Sequence, residues 1–403
     1  MPYNDDFTDL TPDQALLKRE AHRFAEEVMR PTAASLDDLR PEEVISGGSP
    51  LWEAFRKTYQ AGHHLRAFPP ELGGPGLGPI EAHVVAEEFG WGNAGLSIAM
   101  GVTAMPFRFA AMNGNPDLMR EIVMPFLEDR EGRHIGCWAG TEPNHASDLI
   151  LGGYNPDDHL DCSAFRDGDE WVIRGQKSSW VSNGTIATHA LAFLNVQPEM
   201  GMAGTGIAVV PLNLPGVSKG PPLNKLGQRA LNQGEIFFDD VRIPAHYMLM
   251  EPPHAFAAIE MIMAGANAGM STTFSGVARA AFEEALTYTQ SRSQSGVPLS
   301  SHQLVQKRLF DMFMRVEASR ALSRKANLRL GSGQPTVHFS MAAKVFATRT
   351  AFDVASDASE LCGAMGMVKG VLVEQLMRDA RASLIEDGAN DVLSLAAARQ
   401  LLN

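Results

Sequence analysis

The chain reads as an α+β protein in three parts: helices, then a compact β region, then longer helices. Three observations predict this. A capping pattern at Thr11-Pro12-Asp13-Gln14 opens a run of helical periodicity. Short strand-like runs begin near residue 136, flanking the turn Asp167-Gly168-Asp169. After Pro244, apolar residues return at three- and four-residue spacing over long stretches. Each layer needs an opposing surface on which to bury its apolar face, so this order predicts three domains, at 1–135, 136–245 and 246–403.

In the first part, Leu17, Ala21, Phe24, Ala25 and Val28 mark one helix face, and further helices are expected near 51–61, 79–90, 94–113 and 116–128. Turn-rich segments such as Pro69-Pro70-Glu71-Leu72-Gly73-Gly74-Pro75 separate them. In the second part, Trp171-Val172-Ile173, Leu191 to Val196, Ile207 to Pro211 and Glu235 to Val241 read as strands. In the third, helices are expected over Ala278 to Ser291, Gln303 to Leu330 and Thr336 to Ser359.

The composition bounds the function. A net charge of -13 over 403 residues argues against a broad nucleic-acid or acidic-membrane surface. The apolar segment from Ala255 to Met270 carries Glu260 and Asn267, the pattern of a buried helix and not of a membrane insertion. The acidic start Met1 to Asp6 precedes no basic-then-apolar run, so no leader is expected and a cytoplasmic location is. Cys137, Cys162 and Cys362 have neither disulfide-framework nor zinc spacing, and no metal site is expected.

Two polar, turn-rich segments carry the chemistry: Gly140-Thr141-Glu142-Pro143-Asn144-His145-Ala146-Ser147-Asp148 and Lys177-Ser178-Ser179-Trp180-Val181-Ser182-Asn183-Gly184. Hydroxyls on a sheet edge hydrogen-bond a planar heterocycle while an indole covers its face, which is what a flavin needs for orientation. On residue types alone, two surface turns are the favoured reading.

Both segments resemble the T-E-P-x-A-G-S-D and K-x-W-I-T-N-G signatures of the acyl-CoA dehydrogenase family. Arg292 to Leu299 with Gln303, Cys362-Gly363-Ala364-Met365-Gly366, and Arg378-Asp379-Ala380-Arg381 resemble three later family motifs in the same order. The resemblance implies the acyl-CoA dehydrogenase fold, with an N-terminal helical domain, a small β-barrel or sheet domain and a C-terminal four-helix bundle. It implies FAD as cofactor and a homotetramer built as a dimer of dimers. It also implies an acyl-CoA or carrier-bound acyl thioester as substrate and an electron-transferring flavoprotein as acceptor.

Carried over residue by residue, the resemblance puts Thr141, Ser147, Trp180, Ser182 and Ala389 at the flavin and its ribityl chain. Arg292, Gln303, Glu360, Gly363 and Ala364 fall at the pyrophosphate and adenosine of a neighbouring subunit's FAD. Met100, Gly101, Asn267 and Gly388 are expected around the acyl group. The family's I-Y-E-G-T loop corresponds to Ile385-Glu386-Asp387-Gly388-Ala389, so Asp387 is expected as the catalytic base. In the family reaction this carboxylate removes the α-proton of the thioester while the β-hydrogen leaves as hydride to flavin N5. The base's backbone N–H and a ribityl hydroxyl polarise the carbonyl.

Glu386 is the rival base, set aside because adjacent loop residues point different ways. The helical position that carries the base in some branches is occupied by Ala266 and Asn267, which supply no carboxylate. Other departures are Ser295 for phenylalanine, Glu360 for a glutamine that faces the pyrophosphate, Ala389 for threonine, and aspartate for glutamate at the base. The aspartate also resembles the loop of the nitroalkane oxidases, although their arginine seven residues on falls here on Ser394. A flavin monooxygenase of the same fold and a non-enzymatic flavoprotein rank below these, because Asp387 argues for proton abstraction.

Overall fold

The structure is a computed structural model that describes residues 10–148, 157–332 and 337–402. The acidic start Met1 to Asp6 and the expected helix start at Thr336 lie outside the described residues. Helix α1 (Pro12–Phe24) begins with the expected box: Thr11 accepts from Gln14 N, and Gln14 accepts from Thr11 N at 3.0 Å. Its path runs on through a π turn, Ala25–Met29, into α2 (Arg30–Asp37). The π turn accommodates Pro31, whose missing N–H interrupts the helical ladder there.

Helices α3 (Pro50–Gln60) and α4 (Pro79–Gly92) match expectation. The single helix expected over 94–113 is two, α5 (Ala94–Thr103) and α6 (Met105–Asn113), parted at Ala104 just ahead of Pro106. Taken as one run, Ala94–Asn113 is long and apolar enough to cross a membrane, but its two halves pack on strands of the central sheet. Three short pieces, Pro116–Leu118, Met119–Val123 and Met124–Glu128, complete this part.

The central sheet comprises β1 (Gly136–Ala139), β2 (Ser163–Asp167), β3 (Glu170–Ser182), β4 (His189–Asn195), β5 (Thr205–Pro211), β6 (Val217–Lys219), β7 (Gln233–Pro244) and β8 (Met248–Met250). Its order is β6-β7-β3-β2-β4-β5-β8, with β1 parallel to β4. Gly168, at a φ of 62°, turns β2 tightly into β3. A register shift against β7 between Lys177 and Val181 bends β3 and carries Ser178 to Trp180 out of the ladder. Just beyond, the buried Asn183 donates through Nδ2 to Ala99 O at 2.9 Å and Gly136 O at 3.1 Å, pinning this end of β3 to α5 and β1.

The third part is built on α7 (His254–Ser291), α8 (Gln303–Gly331) and α9 (Val337–Leu361), which fold back on one another. Helices α10 (Leu372–Ala382) and α11 (Asn390–Leu402) pack on α9. The Ala255 to Met270 segment lies within α7, as the buried-helix reading expects. Helix α4 crosses α7 so closely that a β-carbon at Gly90 would sit 2.0 Å from Thr273 O, and one at Gly276 2.1 Å from Glu87 O. That approach brings a buried charge cluster together: Arg279 donates to Glu87 at 2.7 Å and to Glu88 at 2.8 Å, and Arg320 to Glu87 at 2.8 Å. Breaking one partner would leave an uncompensated buried charge, so the cluster locks the two helical parts in one arrangement. The three cysteines are free and buried.

Candidate active site

The C-terminal end of β3, the turn after β1 and the loop after α10 meet around a cavity of roughly 370 Å³. Its β wall holds Thr141, Ser147, Trp180 and Ser182. The turn bearing Thr141 and Ser147 is fixed from beneath by Glu142. This buried carboxylate takes Lys177 Nζ at 2.5 Å and the N–H of Asp161 at 2.6 Å. Ser178 N donates to Thr141 O at 2.9 Å, joining the two motif segments directly. Trp180 remains 38% exposed at the rim, with Lys225 Nζ 5.8 Å from its ring centroid. Ser182 Oγ accepts from Gln233 Nε2 at 3.1 Å, and Gln233 Oε1 accepts from Lys225 Nζ at 2.7 Å.

Opposite stands the loop Ile385 to Ala389. Glu386 N still bonds back to Ala382 O, but Asp387 takes a φ of 48° and Gly388 one of 95°. The left-handed turn is costly for a residue with a β-carbon and needs over-determination by its surroundings. Three contacts supply it. Lys344 Nζ on α9, fully buried, donates to Gly388 O at 2.7 Å and to Asn390 Oδ1 at 2.9 Å. Ala389 N donates to Ser147 Oγ at 3.1 Å, tying the loop to the β domain. Asn267 Nδ2 approaches Asp387 O at 3.5 Å. No described residue accepts from the N–H of Asp387 or Gly388.

Asp387 and Glu386 both line the cavity, so their adjacency alone does not set Glu386 aside, and the preference for Asp387 rests on its place in the motif relative to Asp379. Burial raises the Asp387 carboxyl above its ordinary value, with Lys344 opposing. Burial pushes Glu386 up to about 7, and its Oε2 accepts from Gln228 Nε2 at 2.7 Å. Behind them, burial raises Asp379 to about 6; it accepts from Asn93 Nδ2 at 3.1 Å and from the backbone N–H of Gln228. Its neighbour Arg378 donates to Asp37 at 2.5 Å and Glu374 at 2.6 Å. The arginine–aspartate pair at 378–379 therefore holds the loop's base against both other parts of the chain.

Of the residues expected around the acyl group, Gly388 lines the cavity but Met100 and Gly101 do not. Met100 is buried against Thr58 Oγ1 at 3.4 Å, and Gly101 faces outward. Ile98 and Val102, four residues apart on α5, face the cavity instead. Asn267 lies behind the loop backbone, with its Oδ1 unpartnered. Sequence reasoning missed Lys344, Gln228, Gln233 and the apolar wall of Trp138, Phe193, Ile259 and Met263, none of which carries a motif.

Arg292, Gln303, Glu360, Gly363 and Ala364 are not brought to this cavity. All are exposed, at the end of the bundle where α7 finishes and α8 begins. Along α7 alone, Asn267 and Ser291 stand roughly 36 Å apart. Glu360, the acidic departure from the motif, donates no free charge to this end, because Arg308 holds it at 2.7 Å.

Three family models match successive stretches: the acyl-CoA dehydrogenase N-terminal domain over residues 11–129, the middle domain over 137–241 and the C-terminal domain over 257–402. The chain is 30% identical to "Probable acyl-CoA dehydrogenase YngJ" of Bacillus subtilis, over 98% of this chain and 99% of that protein. This chain belongs to the acyl-CoA dehydrogenase family. Its fold is that of the butyryl-CoA dehydrogenase from Megasphaera elsdenii, with a TM-score of 0.87 and 26% identity over 99% of this chain and 100% of that one. An equal TM-score of 0.87, again at 26% identity over 99% and 100%, relates it to a chain in the structure described as the electron transferring flavoprotein of Acidaminococcus fermentans. As an acyl-CoA dehydrogenase-type oxidoreductase, the chain keeps the family's three-part architecture and departs from its motifs chiefly in the loop at 385–389.

Proposed function

We propose that this acyl-CoA dehydrogenase binds FAD and introduces a double bond between the α and β carbons of an acyl-CoA thioester, with Asp387 as base. The observation that carries the proposal is the carboxylate of Asp387, raised by burial, on the wall of an apolar cavity whose opposite wall bears Trp180, Ser182 and Thr141. Those residues suit a flavin. The half-exposed indole offers a face, the hydroxyls offer edge contacts, and the buried Trp138 Nε1, without a partner, offers a spare donor. When bound, FAD supplies the acceptor for the hydride from the β carbon.

The chain's own residues would do the rest. Asp387 accepts the α-proton as that C–H bond breaks and its electron pair forms the new double bond. A base raised toward the working pH takes the proton more readily than an ordinary aspartate. The unengaged N–H groups at Asp387 and Gly388 are suited to the carbonyl oxygen, where negative charge develops. Lys344, already committed to Gly388 O and Asn390, fixes the turn from which they project. The apolar wall of Ile98, Val102 and Met263 excludes water from the acyl chain.

The second cluster supports sharing of the cofactor between subunits. Arg292 and Gln303 are exposed and too distant to reach the flavin of their own chain, so they would hold the pyrophosphate in a partner's site. Leu304, Phe310, Met314 and Met367 stand exposed near or along the same helices, between 47% and 79%, and suit burial in a homotetramer. An electron-transferring flavoprotein is the proposed acceptor, supported by the solved relative described by that name.

The test is anaerobic mixing of the yellow protein with acyl-CoA thioesters and, separately, nitroethane, following the flavin absorbance. Bleaching by a thioester with slow reoxidation in air is the expected result. Bleaching by nitroethane alone, with rapid reoxidation, would replace this reading with a nitroalkane oxidase.

A further inference from the structure

Glu386 occupies the cavity wall beside the base, where the motif resembled has a tyrosine, and it is only 7% exposed. One of its oxygens is satisfied: Oε2 accepts from Gln228 Nε2 at 2.7 Å. Gln228 is itself fixed by its backbone N–H on Asp379 and by Nε2 on Asp379 O at 3.3 Å, so the carboxyl is held in one orientation. The other oxygen, Oε1, has no partner. A buried carboxyl with an unmet acceptor is costly, and one on a ligand cavity is best satisfied by a donor that arrives with the ligand.

The neighbouring cations do not fill that role. Lys225 Nζ is spent on Leu231 O at 2.8 Å and Gln233 Oε1 at 2.7 Å. Lys344 Nζ is spent on Gly388 O and Asn390 Oδ1. Among the described residues lining the cavity, the ionisable ones are Glu386 and Asp387, and the acyl side is otherwise apolar. Such a wall repels a second carboxylate on the substrate, leaves Oε1 unmet by a plain alkyl chain, and is completed by a cation with an N–H.

We infer that Glu386 determines specificity by selecting acyl groups that carry a protonated amine, whose N–H donates to Oε1. The inference deepens the dehydrogenation reading and rests on it for the thioester. It does not require turnover to be observed.

The test uses the flavin-loaded protein and S-alkyl thioethers of coenzyme A, which bind without reacting because they lack the thioester carbonyl. Chains of four to six carbons end in a dimethylammonium, a methyl or a carboxylate group, and affinity is measured calorimetrically. The ammonium member is expected to bind about tenfold or more tightly than the methyl member, with the carboxylate weakest. Glu386→Gln should bring the ammonium and methyl members within about threefold of each other, and Glu386→Lys should favour the carboxylate. A wild-type protein that binds the methyl member as well as the ammonium one overturns the inference without recourse to any variant. So does a preference that survives Glu386→Gln, or failure of every member to bind. Preference among thioethers with no bleaching by any thioester would remove the dehydrogenation reading alone, and bleaching without preference would remove this one alone.

Discussion

The two ends of the C-terminal bundle differ sharply. At the cavity end, the loop that carries Asp387 is held from three sides: by Lys344 from α9, Ser147 from the β domain and Asn267 from α7. At the far end, Arg292, Gln303, Gly363 and Ala364 stand on the surface with apolar neighbours exposed beside them. Under the proposed function, a single chain would finish the proton-transfer half of the site and leave its anion-holding half facing outward. The contrast teaches that motif residues of one sequence family can be split between a buried cluster and an exposed one, and on the proposed function it is the exposed cluster that a partner would complete.

The largest effect should come from the completed end. Asp387→Asn is expected to keep FAD and ligand binding but to slow flavin reduction by about 10²–10⁴-fold in stopped-flow mixing. Reduction at the wild-type rate would move the base elsewhere. Next comes the open end: Arg292→Ala should weaken FAD binding by about 10- to 100-fold and loosen the proposed tetramer, read from the ratio of flavin to protein absorbance and from gel filtration. Full flavin occupancy in a dissociated variant would make each chain self-sufficient and dissolve the comparison.

A third effect is smaller and depends on pH. Glu386 rises from 4.5 to about 7 in the folded chain, so its contribution to stability is fully present below about 4.5 and is lost as pH rises through 7. Glu386→Gln, which cannot ionise, should therefore gain on the wild type between pH 5 and pH 8 by about 1–3 kcal/mol in denaturant titrations. A constant difference across that range would mean that the buried carboxyl titrates normally. The smallest effect is expected at the open end, where Glu360→Gln breaks an exposed pair with Arg308 that Asp357 also holds, at 3.1 Å. Its cost should stay within about 0.5 kcal/mol, measured by thermal melting.

These differences track what a linear reading reaches. Thr141, Ser147, Trp180, Ser182, Asp387 and Gly388 sit in short motifs, and all six line the cavity. Lys344 and Gln228 escaped notice because their partners lie 44 and 158 residues away, and a lysine in a helix or a glutamine in a loop has no local signature. Met100 falls outside the cavity lining through helical phase, since two residues on from Ile98 a side chain points nearly to the opposite face, and Gly101 has no side chain to offer the wall that Ile98 and Val102 form. The break between α5 and α6 was legible in Pro106, whereas the continuation of α1 through a π turn to Asp37 was not, since Pro31 reads as a stop.

The bond from Ala389 N to Ser147 Oγ joins residues 242 apart and is a direct polar link between the base's loop and the β wall. It makes the distance between base and flavin wall a property of the seam between two domains, not of either domain alone. Warming that loosens the seam before either domain melts would separate the reacting groups while secondary structure persists. Catalysis in this enzyme would then fail at a lower temperature than the fold, and the interval between the two would gauge how firmly the domains are docked.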